Sequence, residues 1–244
     1  MSTAQTMSRK QPFPFAARWL ALLAIGVVSA SVQANHNPVI YSQPWDGTGN
    51  FFASQNDPNQ QATGPFAVVW DDFTLRDNSR VTDVHWTGGY FNFGAENHSI
   101  TGFNVGFWAD NAGQPAAAPS ATYSIGGLAG ETCGPVACDY WVDLPGAGFA
   151  ASAATTYWLS IVPDMTFPPQ WGWAPGTGGN GNAWQEFFGT RAQHCDFGGT
   201  PCTDFAFDLT GVPDNGNGVP EPATLALLGM GLAGLGFSRR RKQG

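Results

Sequence analysis

The side chains able to do chemistry in this sequence are few, and their spacing points to scaffolding before catalysis. Cys133 and Cys138 flank G-P-V-A, and Cys195 and Cys202 flank D-F-G-G-T-P. Four cysteines admit three pairings. We expect the two local bridges, Cys133–Cys138 and Cys195–Cys202, each stapling a turn rich in Gly and Pro. Zinc is the competing use, but the second spacing is too wide for a paired-thiolate knuckle and His194 is the only nearby imidazole. The four histidines, His36, His85, His98 and His194, share no ligand spacing. Glycoside hydrolysis needs two carboxylates that meet in space, for which Glu96, Glu131 and Glu186, or Asp71 and Asp72, are the candidates. No G-x-S-x-G, H-E-x-x-H, Walker loop or helix-opening G-x-G-x-x-G occurs. No catalytic residue is therefore assigned, and the chain reads as a non-enzyme.

Two softer constellations remain. Asp110 and Asn111 in A-D-N-A-G, or Asp71 and Asp72, could lend oxygens to a structural calcium ion, the only cofactor considered. No complete D-x-[DN]-x-[DN]-G loop supports this, and turn formation explains the same residues. Nine of the ten tryptophans fall between residues 35 and 222. Trp171, Trp173 and Trp184 surround G-T-G-G-N-G-N and are candidate platforms for stacking on sugar rings, with burial in a core as the competing reading.

The elements that must position these residues are short and β-favouring, separated by Gly, Pro, Asn and Asp clusters. Strands are expected near 39–43, 66–75, 81–93, 101–109, 121–125, 139–144, 156–162, 170–173, 184–188 and 204–209. In Phe205-Ala206-Phe207-Asp208-Leu209, and again in Tyr157-Trp158-Leu159-Ser160-Ile161, the odd positions form one apolar face. Gly88-Gly89 suggests a bend or bulge. The polar stretch Asp46 to Gly64 reads as a long surface loop. The expected fold is all-β, a jelly-roll-like two-sheet β-sandwich over residues 35–212.

Both ends read as addresses. Arg9, Lys10 and Arg18 precede an apolar run from Trp19 to Val28 and small residues ending at Ala34, which predicts a signal peptide over 1–34. At the other end, residues 213–218, P-D-N-G-N-G, read as a flexible linker. There follows V-P-E-P (Val219, Pro220, Glu221, Pro222), an apolar run over 223–237, and the basic cluster Arg239, Arg240, Arg241 and Lys242. That run suits a short membrane helix with its basic end on the cytoplasmic side. Residues 35–222 hold three arginines, no lysine and all 18 acidic residues, a net charge of −15. Such a body offers no basic patch for phosphate, which excludes nucleic acid as a partner.

The segment 219–244 resembles the PEP-CTERM sorting signal of Gram-negative bacteria. W-D-D-F-T-L (Trp70 to Leu75), V-T-D-V-H-W-T-G-G-Y (Val81 to Tyr90), F-W-A-D-N-A-G-Q-P (Phe107 to Pro115), T-T-Y-W-L-S-I (Thr155 to Ile161) and F-A-F-D-L-T-G resemble the β-sandwich ectodomains often found ahead of that signal. The resemblance implies export, transient anchoring in the inner membrane with the body in the periplasm, and cutting near the Pro-Glu-Pro by an exosortase-type enzyme. It further implies a place at the cell surface or in an exopolysaccharide and biofilm matrix. A carbohydrate-binding module and a secreted hydrolase are the alternatives.

Overall fold

The computed structural model describes residues 37–57, 59, 67–91, 100–127, 129–197 and 202–214. The expected signal peptide, the sorting signal with its 223–237 run and basic tail, and His36, Glu96 and His98 lie outside the described residues. Among the described residues, no helix is long and apolar enough to cross a membrane.

The chain is all-β. In order, the strands are β1 (Val39–Gln43), β2 (Phe52–Ala53), β3 (Ala67–Thr74), β4 (Ser79–Tyr90), β5 (Gly102–Ala109), β6 (Ala121–Gly126), β7 (Gly130–Cys133) and β8 (Cys138–Asp143). They continue as β9 (Phe149–Ala151), β10 (Thr156–Asp164), β11 (Trp171–Trp173), β12 (Pro175–Gly176), β13 (Ala183–Phe187), β14 (Thr190–Gln193), β15 (Asp204–Phe205) and β16 (Phe207–Pro213). Two main sheets result. The eight-stranded sheet runs β1-β16-β4-β11-β2, with β8 and β9 also paired to β4 and β7 paired to β8. The six-stranded sheet runs β14-β13-β3-β10-β5-β6. Alternation decides which side chains meet between them. Phe73, Phe103, Phe107, Leu159 and Ile161 from the six-stranded sheet join Val84, Trp86, Tyr140, Trp171 and Phe207 from the other in one buried cluster. The sheets therefore pack face to face as a β-sandwich. Phe205, Phe207 and Leu209 line this core, as their odd-numbered spacing requires.

Three expectations change. First, the stretch 46–64 is not wholly a surface loop. It contains β2, and Ser54, Gln55 and Asp57 are buried. Their polar atoms are matched to backbone groups: Ser54 Oγ donates to Ile161 O, and Gln55 donates to Met165 O and accepts from Trp171 N. A paired polar side chain can enter a core that an unpaired one cannot. Second, Gly88 and Gly89 make no bulge. They sit in unbroken register against β11, because a Cβ at Gly88 would lie 2.2 Å from the Trp171 ring. The glycine serves close packing, not a bend. Third, ordered structure runs past residue 212. β16 includes Pro213, and Asp214 is tied to Asn78 O and to Arg80.

Candidate functional site

Both local disulfides are present, Cys133–Cys138 and Cys195–Cys202. The first closes the β7–β8 hairpin, where its two half-cystines are direct register partners. Glu131, Cys133 and Cys138 are the one group of three potential metal ligands that converge among the described residues. Their sulfurs are spent in the disulfide, so they hold no thiolate for a metal.

Trp171 and Trp173 are not platforms for a ligand. Both have no exposed surface. Trp171 Nε1 donates to Tyr140 Oη at 3.2 Å and Trp173 Nε1 to Ala206 O at 2.8 Å. They stand two residues apart on β11, between β4 and β2, so both turn the same way, into the core between the sheets. Trp184 lies on the other sheet, on its outer face, with Nε1 donating to Gly113 O. There it joins Trp108 around Trp70 and Trp158, which are themselves buried, and Arg191 lies 4.3 Å over the Trp70 ring. The three tryptophans taken together as a sugar site are therefore split between two sheets, and two of them are core.

The named carboxylates are likewise dispersed. Asp71 and Asp72 are neighbours on β3, so they leave opposite faces of the sheet. Asp71 has no exposed surface and accepts from Gln43 Nε2 and Phe205 N, tying β1 and β15 to β3. Burial drives its carboxyl well above the usual range, and the charges of Asp204 and Asp72 add to that. Asp72, raised in the same direction by burial, accepts from Asn180 Nδ2 at 3.0 Å. Asp110 holds Trp158 Nε1 and its own turn at Gly113 N, while Asn111 N donates to Gln114 O. Glu131 accepts from Tyr140 Oη in one sheet, and Glu186 pairs with Arg191 in the other. Among the described residues, Glu131 and Glu186 therefore belong to different sheets.

His194 has no exposed surface and sits edge-on to Phe52 and Phe205, with neither ring nitrogen hydrogen-bonded. Burial lowers its pKa to about 4. Below pH ~6.5 the unfolded chain takes up a proton that the folded imidazole refuses, so the fold loses stability as pH falls from 6.5 towards 4. The buried aspartates act in the opposite sense, so the readout is a difference between proteins. Between pH 7 and 4, His194→Phe is expected to lose roughly 3 kcal/mol less stability than the wild type in denaturant titrations. Parallel pH profiles would contradict this.

One groove on the described surface gathers an exposed indole and several polar groups, and the sequence reading did not find it. It lies on the outer face of the eight-stranded sheet and has a volume of about 340 Å³. Register builds it. His85 on β4 is directly opposite Asp208 on β16 and Trp141 on β8, and Thr87 is opposite Asp139. Trp45, which follows β1, closes one end. Along β8 burial alternates strictly, so Asp139, Trp141 and Asp143 point outward. His85 Nε2 lies 2.6 Å from Asp83 Oδ1. That hydrogen bond, and the charges of Asp83, Asp208 and Asp143, raise the imidazole above its ordinary pKa despite partial burial. Thr87 Oγ1 donates to Asp139 Oδ1 at 2.8 Å. The signal that could have found this site is the run C-D-Y-W-V-D (Cys138 to Asp143), where Trp141 shares a face with two aspartates.

Comparison with known proteins bears on the far end of the chain. Residues 218–242 match the PEP-CTERM protein-sorting motif. This is the mark of an exported protein that an exosortase-type enzyme processes at the membrane of Gram-negative bacteria. The chain thus carries a PEP-CTERM sorting motif behind a disulfide-stapled β-sandwich. No curated protein matches the chain.

Proposed function

We propose that this chain is a non-catalytic surface or matrix protein that associates with exopolysaccharide once its sorting signal has been cut. The signal peptide over 1–34 starts export. The 223–237 run, with Arg239, Arg240, Arg241 and Lys242 on the cytoplasmic side, then holds the sandwich in the periplasm. Cutting near Pro220-Glu221-Pro222 frees it for the cell surface or the extracellular matrix.

The observation that carries the reading is the sorting motif over 218–242 on an acidic, disulfide-closed β-sandwich. Disulfides belong to oxidising compartments, which agrees with export. Among the described residues, the carboxylates named for hydrolysis, Asp71, Asp72, Glu131 and Glu186, are engaged in structure, which supports a non-enzyme. The reading calls for no cofactor. Fractionation tests it. Most of the exported protein is expected to sediment with polymer-bearing cells and to pass to the soluble fraction when polymer synthesis is blocked. Equal distribution in both strains would count against the matrix role.

A further inference from the structure

We propose that the groove between Trp45 and Trp141 binds an uncharged polysaccharide chain. The proposal deepens the matrix reading and rests on it for the choice of a polymer over a free sugar; the site itself rests on the geometry below.

Trp141 is the anchor. It is 41% exposed, although an indole is among the larger apolar surfaces a chain can bury. Its ring lies over Gly130 on the neighbouring β7, where a Cβ would come within 2.0 Å of the ring carbons. Only a glycine permits that seat. One indole face is thereby supported while surface remains open to solvent, the arrangement on which the apolar face of a pyranose can stack. The seat is also fixed. The Cys133–Cys138 bridge closes the hairpin that carries both Gly130 and Trp141. A platform held before binding loses little freedom on binding.

Polar groups flank the platform on the same face. Asp208, His85 and Trp141 form one row across three adjacent strands, spanning about 10 Å at the usual strand spacing. That length accommodates more than one sugar ring. Asp208 lines the groove, and its Oδ1 is buried with no hydrogen-bond donor from the protein. A buried acceptor of this kind calls for a donor, and sugar hydroxyls supply donors. Asp139 is oriented by Thr87, and His85 by Asp83. At the far end the Trp45 indole is pinned by its Nε1 donating to Thr48 O.

Charge selects among polymers. Asp83, Asp139, Asp143 and Asp208 surround a single imidazole, and residues 35–222 carry −15 overall. A polyuronate or phosphate-bearing polymer would meet repulsion throughout. A polyamine sugar would be drawn to the whole acidic surface, not to this groove, and salt would abolish that attraction. An uncharged chain held by stacking and hydroxyl contacts is the ligand that fits.

The test is affinity electrophoresis of the exported protein in gels cast with soluble cellulose, xylan, mannan or dextran, with polygalacturonate and chitosan as charged arms. Retardation is expected in at least one uncharged polymer and should persist at 0.5 M salt, taken as roughly fivefold above the ionic strength where the Debye length is about 10 Å. Trp141→Ala is expected to weaken it about tenfold or more, and Trp141→Tyr to recover most of it. Gly130→Val, which unseats the indole, should weaken it too. Urea midpoints of the Trp141 variants near the wild type would exclude misfolding as the cause. Retardation unchanged in Trp141→Ala would overturn the groove and leave the matrix reading standing. Retardation only in a charged polymer, or in none, would overturn the groove as well. The matrix reading fails separately, on the cell fractionation described above.

Discussion

Trp173→Ala is expected to lower the unfolding free energy by about 3–5 kcal/mol, against a total of about 5–15 kcal/mol for a domain of this kind. Trp173 has no exposed surface, packs against Phe205 and Phe207, and donates Nε1 to Ala206 O. Truncation leaves a cavity between the sheets and removes the shorter of the two hydrogen bonds to Ala206 O, which keeps the one from Thr87 N. Trp173→Phe keeps an aromatic ring in place and is expected to cost less, chiefly the hydrogen bond and part of the cavity. Trp141→Ala, on the exposed face, should cost under about 1 kcal/mol. Denaturant titration with the disulfides intact gives all three values. A Trp173→Ala loss no larger than that of Trp141→Ala would contradict the assignment of one to the core and the other to the surface.

Replacing Pro220, Glu221 and Pro222 together with alanine is expected to abolish C-terminal processing, an all-or-none effect. The triad lies inside the matched motif over 218–242 and precedes the apolar run directly. Proline fixes its own φ and disfavours helix at the residue before it, a chemistry that alanine does not reproduce. The variant should accumulate at full length in the membrane fraction, while the sandwich, whose last described strand ends at Pro213, folds as before. Immunoblots of fractionated cells, with the wild type as reference, decide it. Normal release of the alanine variant would remove the triad from the recognition step.

Much of the fold was legible because alternation is a strong signal where one face is buried. Phe205, Phe207 and Leu209, and Tyr157, Leu159 and Ile161, announced their core side directly. Short pieces such as β7, β9, β12 and β14 carry too few residues for a period to register, and pairing alone defines them. Gln55 was misread because its burial depends on backbone partners at Met165 and Trp171, more than a hundred residues away. The site was less legible than the fold. Density of tryptophan draws attention to Trp171 and Trp173, yet their i, i+2 spacing on β11 turns both into the core between the sheets. The exposed indole, Trp141, stands apart from the other tryptophans in sequence; Asp139 and Asp143 on its own strand were readable beside it, but His85 and Asp208 join it only through register with β4 and, beyond it, β16. The cysteine bridges were readable because both are local.

Under the proposed function, this β-sandwich is delivered outward and freed by cutting at its sorting signal. Intact mass of the exported protein, from cells with and without the exosortase-type enzyme, tests it most directly. A C-terminus near Pro220-Glu221-Pro222 is expected in the first and one ending at Gly244 in the second. A chain ending at Gly244 in both would contradict it.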